Sequence, residues 1–251
     1  MNGNWASLLT VLALSIVHVY AGTVSVLHRR WHSRTLSAAA GIGVAYVFLE
    51  LMPALAEDQI VLEQSGGLLS FVDRDVYILS LVGLAVSLWV ETVSRSSRRR
   101  QRRAGKPDVT GMGVFWLSVA SFFFFNAATG YAVASPGDQA VEPLWMFALA
   151  MGLHTLVNDH SIVEHHGEKY RRIGRWLLVF GLLVGWSIGI TTGVDLPAGV
   201  LAPVLAYLAG GFIMNILRHE LPDTDRATDV AAFAIGAASY AVLLFSLGPV
   251  E

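Results

Sequence analysis

The sequence predicts an all-α polytopic membrane protein: one eight-transmembrane-helix bundle over residues 1–251, with both termini extracytoplasmic. Three observations lead there. Of the 251 residues 54% are hydrophobic and 14% charged, with a mean hydropathy of +0.56, whereas a soluble domain carries roughly 25% charged residues. The apolar residues fall in blocks of about twenty, the length that a helix rising ~1.5 Å per residue needs to cross ~30 Å of hydrocarbon. The period-two alternation of a membrane barrel is absent, so the backbone must satisfy its hydrogen bonds within helices. The chain has no cysteine, which removes disulfides, thiolate metal sites and thiol catalysis. A net charge of −2 points to no nucleic-acid partner. The opening Met1-Asn2-Gly3-Asn4-Trp5 has no positive residue ahead of the first apolar run, so no cleaved signal is expected.

In chain order the blocks run from Trp5 to Leu27, Leu36 to Leu55, Val76 to Val93, Val114 to Ala134, Pro143 to Ile162, Trp176 to Val194, Ala198 to Leu217 and Val230 to Leu247. The sixth and seventh are divided by Asp195-Leu196-Pro197, which breaks the helix and sets a tight turn. Alternating the connections puts 16 of the 17 Lys and Arg residues on one side and only Arg74 on the other. Such asymmetry over short loops assigns the basic side to the cytoplasm, and an even number of spans then leaves both termini outside. Residues 95–110 are expected as a basic cytoplasmic loop, in which Arg98-Arg99-Arg100-Gln101-Arg102-Arg103 is a topogenic stop able to meet anionic headgroups. Residues 158–175 are expected as a His-rich and acidic cytoplasmic loop. Gly181, Gly185 and Gly189 form a small-residue ridge on the sixth span, and Ala206 and Gly210 a similar one on the seventh; both suit close helix packing. Trp5, Trp89, Trp145 and Trp176 lie near span ends, as interfacial anchors do.

Ionisable and amide side chains inside a bilayer cost free energy unless they face a bundle interior, which makes them the functional candidates. They are His18 on the first span, Glu50 on the second, Asn126 and Thr129 on the fourth, and His154, Thr155, Asn158, Asp159 and His160 on the fifth. Counted from the outward ends, Asn126 and His154 both lie roughly 12 to 16 Å deep, so the expectation is that they meet near the midplane. His154 and Asn158 share a helix face at i,i+4, with Thr155 and Asp159 on the adjacent stripe. A polar strip facing a polar patch suits a solute pathway, and an interhelical hydrogen-bond cluster is the competing reading. His18 is read as a packing histidine, and Glu50 as a side chain reaching interfacial water at the outer end of its span, with a role at an outer mouth as the alternative. Past the fifth span, His160 pairs with Glu164 at i,i+4 if the helix continues, with His165 and His166 beside them. Imidazole with carboxylate suits zinc, manganese or iron(II).

These pieces resemble the ZIP (Zrt/Irt-like) family of divalent-metal transporters. Val47-Phe48-Leu49-Glu50-Leu51-Met52-Pro53 is similar to that family's Phe-Leu-His-Leu-Leu-Pro segment, with Glu50 at the histidine. Ala209-Gly210-Gly211-Phe212-Ile213 and His219-Glu220-Leu221-Pro222-Asp223 resemble its Ala-Gly-x-Phe and Asp-Glu-Leu-Pro-Glu elements. The two-metal motif His-Asn-x-Pro-Asp/Glu-Gly meets Phe125-Asn126-Ala127-Ala128-Thr129-Gly130, and His-Glu-x-Pro-His-Glu meets His154-Thr155-Leu156-Val157-Asn158-Asp159. Most charged ligands and both prolines are replaced, which argues against a high-affinity binuclear centre.

The resemblance implies a membrane transporter that moves a divalent cation of the zinc, iron or manganese class, with cadmium as a further substrate. It would do so by alternating access through a weakened or displaced site drawn from Asn126, Thr129, Glu50, His154, Asn158 and Asp159. His160, Glu164 and His165 are the candidates at the cytoplasmic end. The metal is expected as substrate, no resident cofactor is implied, and no enzyme activity is expected. The expected partners are the lipid bilayer, a divalent ion and a second copy in a homodimer, in a bacterial inner membrane. A non-transporting protein of the same fold, metal-sensing or structural, is the alternative; an intramembrane metallohydrolase built on His154, Asp159, His160 and Glu164 is the third reading.

Overall fold

The computed structural model describes residues 2–24, 29–65, 75–134, 144–192, 198–220 and 229–247, and among them it is helical with no strand. The helices are α1 (Asn2–Val24), α2 (Arg29–Tyr46), α3 (Met52–Ser65), α4 (Asp75–Arg103), α5 (Met112–Ala134), α6 (Leu144–His166), α7 (Arg175–Thr192), α8 (Ala198–Glu220) and α9 (Val230–Leu247). Each apolar block read from the sequence falls largely on a helix. Among the described residues, four stretches are long and apolar enough to cross a membrane: Ser37–Ile60, Asp75–Arg103, Met112–Ala134 and Tyr170–Thr191. Shorter apolar helices occupy Trp5–Ala21, Ala202–Ile216 and Val230–Ser246. The protein is therefore an all-α chain built for a membrane. The Asp195-Leu196-Pro197 turn and residues 221–223 lie outside the described residues.

Local chemistry explains the breaks. The second apolar block continues from α2 through a π-helical turn, Val47–Leu51, into α3. Pro53 follows that turn, and because proline has no N–H to offer the carbonyl four residues back, the widened turn accommodates the lost bond. The expected loop at 95–110 is helix through Arg103 and ends at Gly105, whose φ of +67° is a conformation that favours glycine. The expected loop at 158–175 is likewise mostly helix: α6 runs to His166, stops at Gly167 with φ +58°, and the chain passes through a π-helical turn at Tyr170–Gly174 into α7. Asp229 caps α9 by accepting the Ala232 N–H at 3.0 Å, and pairs with Arg34 of α2 at 3.0 Å.

Packing sorts the helices into two groups. In one, α5 lies along α7, and α1 packs on α5, α6 and α7; in the other, α4 lies along α8 and α2 along α9, with α3 on α4 and α8. The intimate pairs are set by glycine. A Cβ on Gly130 or Gly185 would overlap the carbonyl oxygens of Leu182 and Ala127 across α5 and α7. One on Gly83 or Gly210 would overlap those of Tyr207 and Ser80 across α4 and α8, and one on Gly41 or Gly236 those of Phe233 and Ala38 across α2 and α9. Backbones at that distance gain the dispersion and close contact that hold helices together where lipid competes for apolar surface. Between the groups, α2 packs against α6, while α4 and α8 meet α5 and α6 only sparsely. This looser seam contains the site. Trp5, Trp89, Trp145 and Trp176 are all about half or more exposed, at 68%, 56%, 48% and 52%.

Candidate functional site

The fifth apolar block, now α6, carries its polar residues on two faces that look into different halves of the molecule. Asp159 turns toward α1. Its Oδ2 lies 2.8 Å from His18 Nδ1, and His18 Nε2 lies 2.7 Å from Asn126 Oδ1. Asn126 donates from Nδ2 to the Phe122 carbonyl at 2.9 Å, which leaves its Oδ1 as the acceptor facing His18. His18 Nε2 therefore donates, and Nδ1 meets the carboxylate. His18 and Asp159 are 1% and 0% exposed, so the pair is shielded from bulk solvent. Tyr170 is buried beside Asp159. His18, read as a packing histidine, is the hub joining α1, α5 and α6.

His154 and Asn158 turn the other way, toward α8. Asn215 Nδ2 donates to Asn158 Oδ1 at 3.1 Å and lies 3.5 Å from His154 Nε2. The His154 ring rests on Phe212 at 4.1 Å between centroids, and Phe212 stacks on Phe125 at 6.1 Å and 13°. The expected meeting of Asn126 with His154 is thus replaced by two separate networks: Asn126 joins His18 and Asp159, and His154 joins Asn158 and Asn215. The physical reason is helical phase, since residues 158 and 159 are about 100° apart around a helix of 3.6 residues per turn.

The remaining candidates disperse. Thr129 donates back to its own helix at the Phe125 carbonyl, 3.1 Å away. Glu50 sits half-buried in the Val47–Leu51 turn, and Thr155 is buried on α6. Near the arginine-bearing end, Glu91 lies 3.2 Å from His165 Nε2 and accepts from Arg95 at 2.7 Å. Arg98 lies 3.3 Å from His165 Nδ1, 3.1 Å from Asp108 and 3.5 Å from Glu164. His166 bonds Thr110 in the connection between α4 and α5. Hydrogen bonding from Arg98, reinforced by the charges of Arg98 and Arg102, holds the Asp108 carboxyl below the usual carboxylate range. His160 is half-buried on α6. Among the described residues, no three His, Cys, Asp or Glu side chains come together as a metal-holding group.

What the seam does hold is a cavity of about 320 Å³, bounded by α4, α5, α6 and α8. His154, Asn158, Asn215, Phe125 and Phe212 form one end of its lining, and Glu91, Ser94, His165 and His166 the other. Along α6 the lining extends from residue 154 to residue 166, ~18 Å at ~1.5 Å per residue. Its size is that of a small-molecule pocket, largely apolar with a few placed polar groups. Asn215 and the serines at 87, 94, 118, 121 and 161 were missed in the sequence, although Asn215 is an amide within an apolar span and carries the same signal that singled out Asn126. No protein-family model matches the chain, and no curated protein matches it in sequence.

Proposed function

We propose that the chain is a carrier of ZIP-like design in a bacterial cytoplasmic membrane, moving a small solute by alternating access across the seam between its two helix groups. In this reading eight rods cross the bilayer, both termini face outward, and the arginine-bearing end lies in the cytoplasm. The observation that carries it is the position of the cavity: it sits where the helix groups touch least, and its polar end lies deep among apolar helices. Polar side chains at such a depth mark solute paths, and a seam between two compact groups is where rocking or sliding exposes a midplane site to alternate sides.

The family resemblance supplies a divalent cation of the zinc, iron or manganese class as one substrate. Toward such an ion the cavity's inner end offers one imidazole and two amides without formal charge. A dehydrated divalent ion calls for about four or more close donors and compensating charge, so an ion there is weakly held and keeps its water. A non-transporting module is the second reading. It is favoured by the pairing of Asp159 Oδ2 with His18 at 2.8 Å, which turns the carboxylate of the polar strip into an interhelical contact and away from the cavity lining.

Flux through proteoliposomes tests the proposal. Purified protein is reconstituted and challenged with zinc, iron(II), manganese, cadmium and an uncharged organic probe, uracil. At least one solute is expected to exchange faster than in empty vesicles, and His154→Leu or Asn215→Leu to slow it about tenfold, the effect of losing one or two deep polar contacts. Folded protein that passes none of them supports the non-transporting module, and flux indifferent to both substitutions removes this cavity from the path.

A further inference from the structure

We infer that the seam cavity is a binding site for an uncharged, planar organic molecule carrying an amide edge, a carbonyl beside an N–H. This rests on the carrier reading only in naming the substrate class of the same cavity; occupancy itself requires no flux.

Three observations converge on that class. The first is charge: the inner end is built from His154, Asn158 and Asn215, Asp159 is turned away and paired with His18 at 2.8 Å, and Glu91 in the lining lies at the other end beside Arg95 and His165. A charged group brought there would lose its hydration without meeting a counter-charge, which is strongly unfavourable at such depth. The second is the pattern of hydrogen-bonding groups. Asn215 Nδ2 donates to Asn158 Oδ1 at 3.1 Å, which leaves the Asn158 amide nitrogen as a donor and the Asn215 carbonyl as an acceptor. The two adjoining amides thus offer one donor and one acceptor, the reverse of the pair that a ligand amide edge presents. The third is shape: Phe125 and Phe212 stack at 13° beside these amides, and aromatic faces favour a flat partner laid against them. The space of about 320 Å³ is at the lower end of small-molecule pockets and far larger than one ion requires. The donors are spread along the helices rather than gathered around a point.

Binding of a matched set of probes to the purified full chain in detergent tests the assignment, read by saturation-transfer NMR and by titration calorimetry. Uracil is neutral, flat and bears amide edges; orotate is the same ring with a carboxylate; toluene is flat without polar edges; zinc is the cation alone. Uracil is expected to bind, with orotate and toluene at least about tenfold weaker, as one unmatched charge or one lost pair of hydrogen bonds dictates. Asn158→Leu or Asn215→Leu is expected to weaken uracil about tenfold while leaving toluene unchanged. A cavity-filling Ser87→Phe, on a different helix, is expected to abolish both without lowering Tm. Equal binding of orotate and uracil, zinc binding that depends on His154, or uracil binding unchanged in all three variants overturns the assignment, and so does the absence of uracil binding to folded protein. Uracil bound without flux in vesicles sinks the carrier and leaves the site, whereas metal flux without uracil binding does the reverse.

Discussion

Replacing Gly185 or Gly210 by alanine is expected to unfold the protein or to lower its stability by ~3 kcal/mol or more, beyond the usual cost of overpacking a core. The added Cβ meets the Ala127 carbonyl oxygen in the first case and the Ser80 carbonyl oxygen in the second. Both obstacles are helix backbone, so no side-chain rotation relieves them, and separating the helices forfeits contact along the whole pair. Gly113→Ala is the control. Nothing lies within 4 Å of its would-be Cβ, and alanine in a helix is favoured over glycine by roughly 0.5–1 kcal/mol, so this variant is expected to match or slightly exceed the parent. Thermal unfolding in one detergent, followed by circular dichroism, compares the three.

The second large effect belongs to the buried pair on α1 and α6. His18→Leu leaves the Asp159 carboxylate at 0% exposure without the imidazole 2.8 Å away, and is expected to cost ~3–5 kcal/mol, as breaking a buried pair from one side does. Asp159→Leu removes the acid and leaves an imidazole whose other nitrogen still bonds Asn126, so its cost is expected to be smaller. The double variant His18→Leu with Asp159→Leu is expected to recover part of the loss of His18→Leu, because an apolar pair leaves no buried charge behind. A cycle of melting curves reads this directly. Purely additive losses would show that the two side chains do not depend on each other.

How much of this was legible in the sequence follows from what a helix encodes about itself. Block length and apolarity located the rods, and the small-residue ridges at Gly181, Gly185, Ala206 and Gly210 fell on close contacts. These are properties of one helix read alone. The pairing of His154 with Asn158 on one face was likewise a matter of period. Which neighbour each face meets is not encoded in any single helix. Asn158 and Asp159 are adjacent in the chain yet turn to α8 and α1, so the polar strip that looked continuous is two half-sites directed to opposite helix groups. Asn126 meets His18 rather than His154, because azimuth depends on the packing of three helices at once, which counting residues along one helix does not give. The extension of α4 to Arg103 and of α6 to His166 escaped a reading by hydropathy for a simpler reason. A helix continues into polar sequence at little cost until a residue such as Gly105 or Gly167 ends it, and hydropathy registers only where lipid stops.

The carrier reading requires the seam cavity to admit water from the arginine-bearing face, and the absence of cysteine from the chain allows a direct measurement. Single cysteines are placed at Ser87, Ser94 and Ser118, which line the cavity on α4 and α5, and at Leu81, an exposed apolar position on α4, as a lipid-facing control. A membrane-impermeant thiosulfonate is then applied from either side of oriented vesicles. Labelling of the three cavity positions is expected from the arginine-bearing face, slowed by a bound solute, with none at Leu81→Cys. Cavity positions that stay unlabelled from both faces would mean a dry contact between helices, and would contradict the carrier reading.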